Sequence, residues 1–167
     1  MDSTVRYLLD RTQISETIVR YFNGLDVRDW DTVRATLAAT IDLDFSELFG
    51  DPRTVHDSDD FVAFARNVLS GFRHTQHVSP NHVITIEGDR ASVTAYMYAW
   101  HSVPSEGKGG DTFTLRGSYD VGLVRVDDGW RIDRLHMAVW DEAGNKETYA
   151  IARRRHEESE AAAVGEG

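Results

Sequence analysis

The hydrophobic period of this chain changes once, near Gly71, and that change decides its fold class. Before it, apolar residues recur at helical spacing. Ile14, Ile18, Phe22 and Leu25 form one stripe between residues 11 and 27, and Phe61, Phe64, Ala65, Val68 and Phe72 form another after Ser58. After it, the pattern alternates through segments 74–87, 90–103, 111–126 and 130–140, joined by EGDR, PSEGKGG and DDG. Helices followed by four long antiparallel strands predict an α+β domain with a curved sheet wrapped over the helices. Asp29 reads as the N-cap of a second helix bearing Trp30, Val33 and Leu37, and Ser58 as the cap of the third. IDLDF at 41–45 reads as a short strand, GDPR at 50–53 as a turn, and 143–156 as one more helix. A single domain over 1–150 with a helical or disordered tail at 151–167 is expected.

Charge and composition remove several function classes. Eighteen basic and 28 acidic residues give a formal charge of −10, which disfavours nucleic acid and anionic membranes as partners. With no cysteine there is neither a disulfide framework nor a thiolate nucleophile or metal ligand. The N-terminal MDSTVRYLLD is too charged for a signal peptide and no stretch reaches membrane-span length, so a soluble cytoplasmic protein is expected. No metal site is expected. His74 and His77 are an odd number apart, no strand has His at i and i+2, and HExxH is missing.

One residue contradicts its surroundings. Asp26 follows Phe22 by four positions, at the edge of the apolar stripe, and a carboxylate turned towards a core needs a partner. Histidine is the partner able to exchange a proton near neutral pH. His101 shares a strand face with Val93, Ala95, Met97 and Ala99, a small-residue face suited to lining a cavity. The EGDR turn pairs residues whose numbers sum to about 177, which sets His77 opposite residue 100. His77 and His101 are therefore predicted cross-strand neighbours, with Asp26 bonded to His101. The alternative, that each is a hydrogen-bonded core histidine, stays open on spacing alone.

LDVRDWD, then TQH, then an isolated histidine late in the next strand resemble the scytalone dehydratase and SnoaL-like branch of the NTF2-like superfamily, over residues 10–140 and including DDGWRI. The resemblance implies a cone-shaped α+β barrel, N-terminal helices packed against a curved mixed or antiparallel sheet, with an apolar pocket at its open end. It also implies a cofactor-independent dehydratase or isomerase-type lyase in which Asp26, His77 and His101 do acid–base work on a polyketide-, aromatic- or terpenoid-like molecule. Polyketide cyclisation and dehydrohalogenation are related activities, and a non-catalytic ligand-binding or self-association module is the alternative. Leu25 and Phe45 stand where scytalone dehydratases place two carbonyl-gripping tyrosines, and neither can donate a hydrogen bond. Tyr98, Tyr119 or Ser118 are candidate substitutes. Substrate-lining residues are expected to be Tyr21, Trp30, Phe45, Phe61, Phe64, Tyr98 and Tyr119. Tyr96, Tyr98 and Trp100 are placed on the outer sheet face, where they predict a dimer or trimer.

Overall fold

A computed structural model describes residues 2–104, 111–127 and 129–165. The loop expected at PSEGKGG and the centre of the DDG turn lie mostly outside the described residues. Helix α1, Ser3–Val27, starts well before residue 11, because the Asp2 carboxylate accepts the Thr4 N–H at 2.8 Å. Val5, Tyr7, Leu8 and Leu9 hide that start in the sequence, being apolar yet about half exposed. Helix α2 spans Trp30–Ala35, and Asp29 caps it by accepting the Thr32 N–H at 3.0 Å. Leu37 opens strand β1, Leu37–Asp44, instead of closing that helix. A short helix α3, Ser46–Phe49, and strand β2, Thr54–Asp57, follow without having been predicted. Asp57, not Ser58, caps helix α4, Ser58–Leu69, through the Asp59 N–H.

The predicted strand 74–87 is two strands, β3 (His74–Val78) and β4 (Val83–Glu87). Pro80 has no N–H to give a ladder and Asn81 sits at φ 61°, so the chain turns between them. Strands β5 (Arg90–Ser102), β6 (Thr112–Val126) and β7 (Gly129–Gly144) agree closely with expectation. Helix α5 runs from Thr148 to Gly165, so it starts later than 143 and continues through the tail.

The sheet order is β2-β1-β7-β6-β5-β3, with β4 also on β5. Only the β1–β7 pairing is parallel among these neighbours, which makes the sheet mixed. It curves without closing. Irregularities at Arg116/Gly117 and Gly122/Leu123 bend the long β6–β7 ribbon. Gly117 is needed there, since a Cβ would lie 1.8 Å from the Ala138 carbonyl oxygen. The concave face carries Val93, Met97, Ala99, Leu115, Tyr119, Val121 and Leu135 against Ile14, Ile18, Phe22, Phe61 and Val68 from the helices. Hydrophobic burial on this one face is the main force that docks α1 and α4 into the sheet.

At the N-terminal end of α1 the core holds a charged anchor. Asp10, 5% exposed, accepts Arg125 Nη1 at 2.6 Å, Arg125 Nη2 at 2.9 Å and Trp130 Nε1 at 3.2 Å. The Arg125 guanidinium also lies 4.3 Å over the Trp130 ring. Each buried polar group there has its partner, which is the condition for such a cluster to be tolerated. On the convex face Tyr96, Tyr98 and Trp140 are exposed, with Tyr96 and Trp140 in edge contact at 5.8 Å. No helix among the described residues is long and apolar enough to cross a membrane. Among those residues no group of three or more His, Asp or Glu is placed to hold a metal.

Candidate active site

Helix α1 ends where the site begins. Arg28 adopts the left-handed conformation at φ 63°, and the Asp29 N–H returns to the Gly24 carbonyl at 2.9 Å, closing the helix. Gly24 permits the tight turn into α2, because a Cβ there would stand 2.8 Å from Val33 Cγ2. The last turn leaves Asp26 facing strand β3. Thr75 and His77, two apart and so on one strand face, both reach it. The His77 ring bonds Asp26 Oδ1 through Nδ1 at 2.7 Å, the His77 backbone N–H donates to Oδ2 at 2.8 Å, and Thr75 Oγ1 donates to Oδ1 at 2.9 Å. Arg28 Nη1 donates to Thr75 Oγ1 at 2.8 Å, which leaves the threonine proton for Asp26.

Burial raises the Asp26 pKa, but the His77 ring, its charge and backbone N–H, and the Thr75 hydroxyl outweigh it and hold the carboxyl below its ordinary value. Asp26 is thus a carboxylate near neutral pH. A carboxylate can only accept, so His77 Nδ1 carries the proton of their bond and Nε2 is the ring nitrogen turned away from Asp26.

The carboxylate's partner differs from the sequence expectation. Asp26 pairs with His77 instead of His101, because β3 lies at the sheet edge between α1 and β5. The observed register sets His77 opposite Ala99 and Thr75 opposite His101, so the two histidines are diagonal neighbours. Their rings meet edge-on at 5.2 Å. His77 also stacks on Phe22 at 6.0 Å, and Phe72 packs on His101 at 5.0 Å.

His101 is 1% exposed, and burial followed by the nearby His77 pushes its pKa down to about 3. Its Nδ1 has no hydrogen-bond partner among the described residues, while the Phe113 backbone favours the charged form of the ring without overcoming burial. The His101 ring is therefore neutral near neutral pH and holds no imidazolium charge for a carboxylate to stabilise. The consequence for stability has a definite sign. The unfolded ring takes up a proton near its ordinary pKa of 6.5 and the folded ring only near 3, so the unfolded state binds more protons between these values. Stability contributed by neutral His101 is full above pH 6.5 and is lost as pH falls towards 3. Urea midpoints of wild type and His101→Gln across this range should converge as the pH falls.

His77 and His101 line one cavity of ≈ 80 Å³, and Asp26 stands behind His77, bonded to its ring but not lining the cavity itself. Of the residues named from the sequence as substrate-lining, Tyr21, Phe45, Phe61, Phe64 and Tyr119 are placed in its wall. Trp30 and Tyr98 do not: Trp30 packs at the edge of the core, and Tyr98 lies on the convex face. Ser118 pairs with Tyr96 on that same outer side, which removes it as a substitute for the missing tyrosines. Phe22, Phe49, Met137 and Tyr149 also line the cavity and were not foreseen. Thr75 was legible in principle, being two residues before His77 on a predicted strand. Burial raises the pKa values of Tyr21, Tyr119 and Tyr149, so all three phenols remain neutral. A second cavity of ≈ 360 Å³ shares Phe45, Phe49, Phe61 and Phe64 with the first and adds Asp51, His56 and Asp60.

The family model for the SnoaL-like domain matches residues 6–136. The chain belongs to the SnoaL-like family. A solved structure of the Kfla4162 protein from Kribbella flavida is 31% identical, with a TM-score of 0.80 over 88% of this chain and 99% of that one. A Novosphingobium aromaticivorans structure, provisionally assigned as an aromatic ring hydroxylase, is 26% identical at TM-score 0.72, covering 87% of this chain and 97% of its own. A second protein from that organism, provisionally assigned as a scytalone dehydratase, shares the fold at 19% identity and TM-score 0.72, covering 85% and 91%. No curated protein matches the chain. Membership in the SnoaL-like family places this molecule in the NTF2-like superfamily, in agreement with the observed unclosed cone of helices and mixed sheet.

Proposed function

We propose that this SnoaL-like protein is a cofactor-independent lyase of the dehydratase or isomerase type, using Asp26 and His77 as its acid–base pair. The observation that carries the reading is the His77 Nδ1 bond to Asp26 Oδ1 at 2.7 Å at the wall of an apolar cavity. In that setting His77 Nε2 takes a proton from a carbon next to a carbonyl, and Asp26 stabilises the imidazolium that results. For a β-hydroxy ketone, the C–H electron pair becomes the new C=C bond, the β C–O bond breaks, and the hydroxyl leaves as water on receiving that proton back from the His77 imidazolium, which regenerates the neutral base. Isomerisation follows the same first step, with the proton returned at another carbon. His101 takes part as a neutral ring that holds hydrogen bonds inside the cavity.

The substrate is a hydrophobic polyketide-, aromatic- or terpenoid-like molecule. A cavity needs about 10–15 Å³ to hold one water. The inner cavity of ≈ 80 Å³ thus suits a single ring, and the adjoining cavity of ≈ 360 Å³ can take the remainder of a larger substrate. The provisional aromatic-ring assignment of the 26% identical structure supports a ring-shaped ligand. The exposed Tyr96, Tyr98 and Trp140 support self-association as a dimer or trimer through the convex face.

The test is turnover on a panel of cyclic β-hydroxy ketones and hydroxylated aromatic ketones, compared between wild type and Asp26→Asn. Asparagine keeps the shape but removes the charge that favours His77 as a base. A kcat loss of about 10²-fold or more is expected on any accepted substrate. Unchanged kcat in Asp26→Asn, or no elimination or isomerisation across the panel, would count against the reading.

A further inference from the structure

Helix α5 lies beyond residue 136, where the family match ends, yet it supplies a wall of the cavity. Its placement is built into the fold. A Cβ on Gly71 would stand 1.7 Å from the Ala152 carbonyl oxygen, so only glycine lets α5 pack this close after α4. Arg155 Nε then donates to the Gly71 carbonyl at 3.2 Å, and Ala152 is fully buried.

This packing delivers Tyr149 to the histidines. Its ring is held edge-on by Phe49 at 5.7 Å, Phe72 at 5.2 Å and Phe113 at 5.9 Å, and its hydroxyl meets His101 Nε2 at 3.3 Å. A phenol hydroxyl both donates and accepts, and one hydrogen bond to a neutral imidazole uses only one of these capacities. Tyr149 is a neutral phenol beside the neutral His101 imidazole, in a cavity whose other lining is mostly apolar, and this pair carries no charge for a ligand to satisfy. What it can recognise is a neutral oxygen.

We propose that Tyr149 is the oxygen-binding residue of the cavity, held by His101 and offering its remaining hydrogen bond to a hydroxyl or carbonyl group on a single-ring ligand. This rests on the cavity being a small-molecule site, but not on His77 acting as a base. It also assigns to α5 the gripping role that Leu25 and Phe45 cannot perform. The proton on the Tyr149–His101 bond decides which group is bound. A phenol that donates to His101 accepts from a ligand hydroxyl, and a phenol that accepts from His101 donates to a ligand carbonyl.

The experiment is ligand binding to the full-length protein by calorimetry or NMR titration, with phenol, benzaldehyde and toluene as probes. A purely apolar cavity would favour toluene, because phenol and benzaldehyde must give up water. Wild type is expected to bind phenol or benzaldehyde about tenfold more tightly than toluene. Which of the two it prefers reports the direction of the Tyr149–His101 bond. Tyr149→Phe keeps the ring and its packing, and should abolish or reverse that preference while leaving toluene binding unchanged. No preference for either oxygen probe in wild type, or a preference that survives in Tyr149→Phe, overturns the proposal. If Tyr149→Phe loses the preference in a protein that turns over no substrate, the oxygen site stands and the proposed lyase activity falls. If His77→Ala abolishes turnover while Tyr149→Phe keeps the preference, only the oxygen site is wrong.

Discussion

His77→Ala is expected to lower kcat by about 10²–10⁴-fold on any substrate that wild type converts, with little change in the dissociation constant of that substrate. The ring contributes one wall of the cavity among many, so its removal takes away a modest share of binding contact. What it takes away entirely is the lone-pair nitrogen that the Asp26 carboxylate orients. A group whose proton transfer matters mainly in the transition state shows this split between kcat and binding. Single-turnover rates and equilibrium binding, measured on the same variant, separate the two. A kcat near that of wild type would refute the Asp26–His77 mechanism and leave the cavity as a ligand-binding site. Removing Asp26 as well should add little, because the carboxylate acts through the ring that is already missing.

The largest stability effect is expected at the opposite end of α1. Trp130→Ala should cost about 3–5 kcal/mol, the range for deleting a buried large aromatic side chain. Trp130 is 1% exposed, donates to Asp10 and lies beneath the Arg125 guanidinium. Its loss opens a cavity and strips one partner from a buried carboxylate at the same time. For a domain of this length the melting temperature should fall by roughly 10 °C, read by thermal denaturation followed by circular dichroism. A fall of only a degree or two would mean that Arg125 and neighbouring side chains fill the space. Because the anchor lies at the N-terminal end of α1 and the candidate site at its C-terminal end, the remaining folded protein should keep its ligand affinity.

The parts of this molecule that the sequence made legible are those with a local physical cause. The switch from helical to alternating hydrophobicity at Gly71 follows from the need of each element to bury one face. Strands β5, β6 and β7 and the Asp29 cap accordingly appear where the pattern put them. Asp26 stood out because a carboxylate at the edge of an apolar stripe is costly without a partner. That logic finds the residue, but it cannot choose between two histidines one strand apart.

The choice required the tertiary structure. Pro80 and Asn81 split the predicted first strand, β3 became the sheet edge beside α1, and His77 therefore stands nearer to Asp26 than His101 does. Burial then determined the charge state of His101, which no local pattern encodes, since desolvation comes from residues far apart in the chain. Tyr149 was illegible for the same reason. Its role depends on Gly71 letting a distant helix approach within van der Waals reach, a contact between segments about 80 residues apart. Residue type and local period specified which groups could do chemistry. Only the packing of the sheet edge and α5 against the helices decided which of them meet.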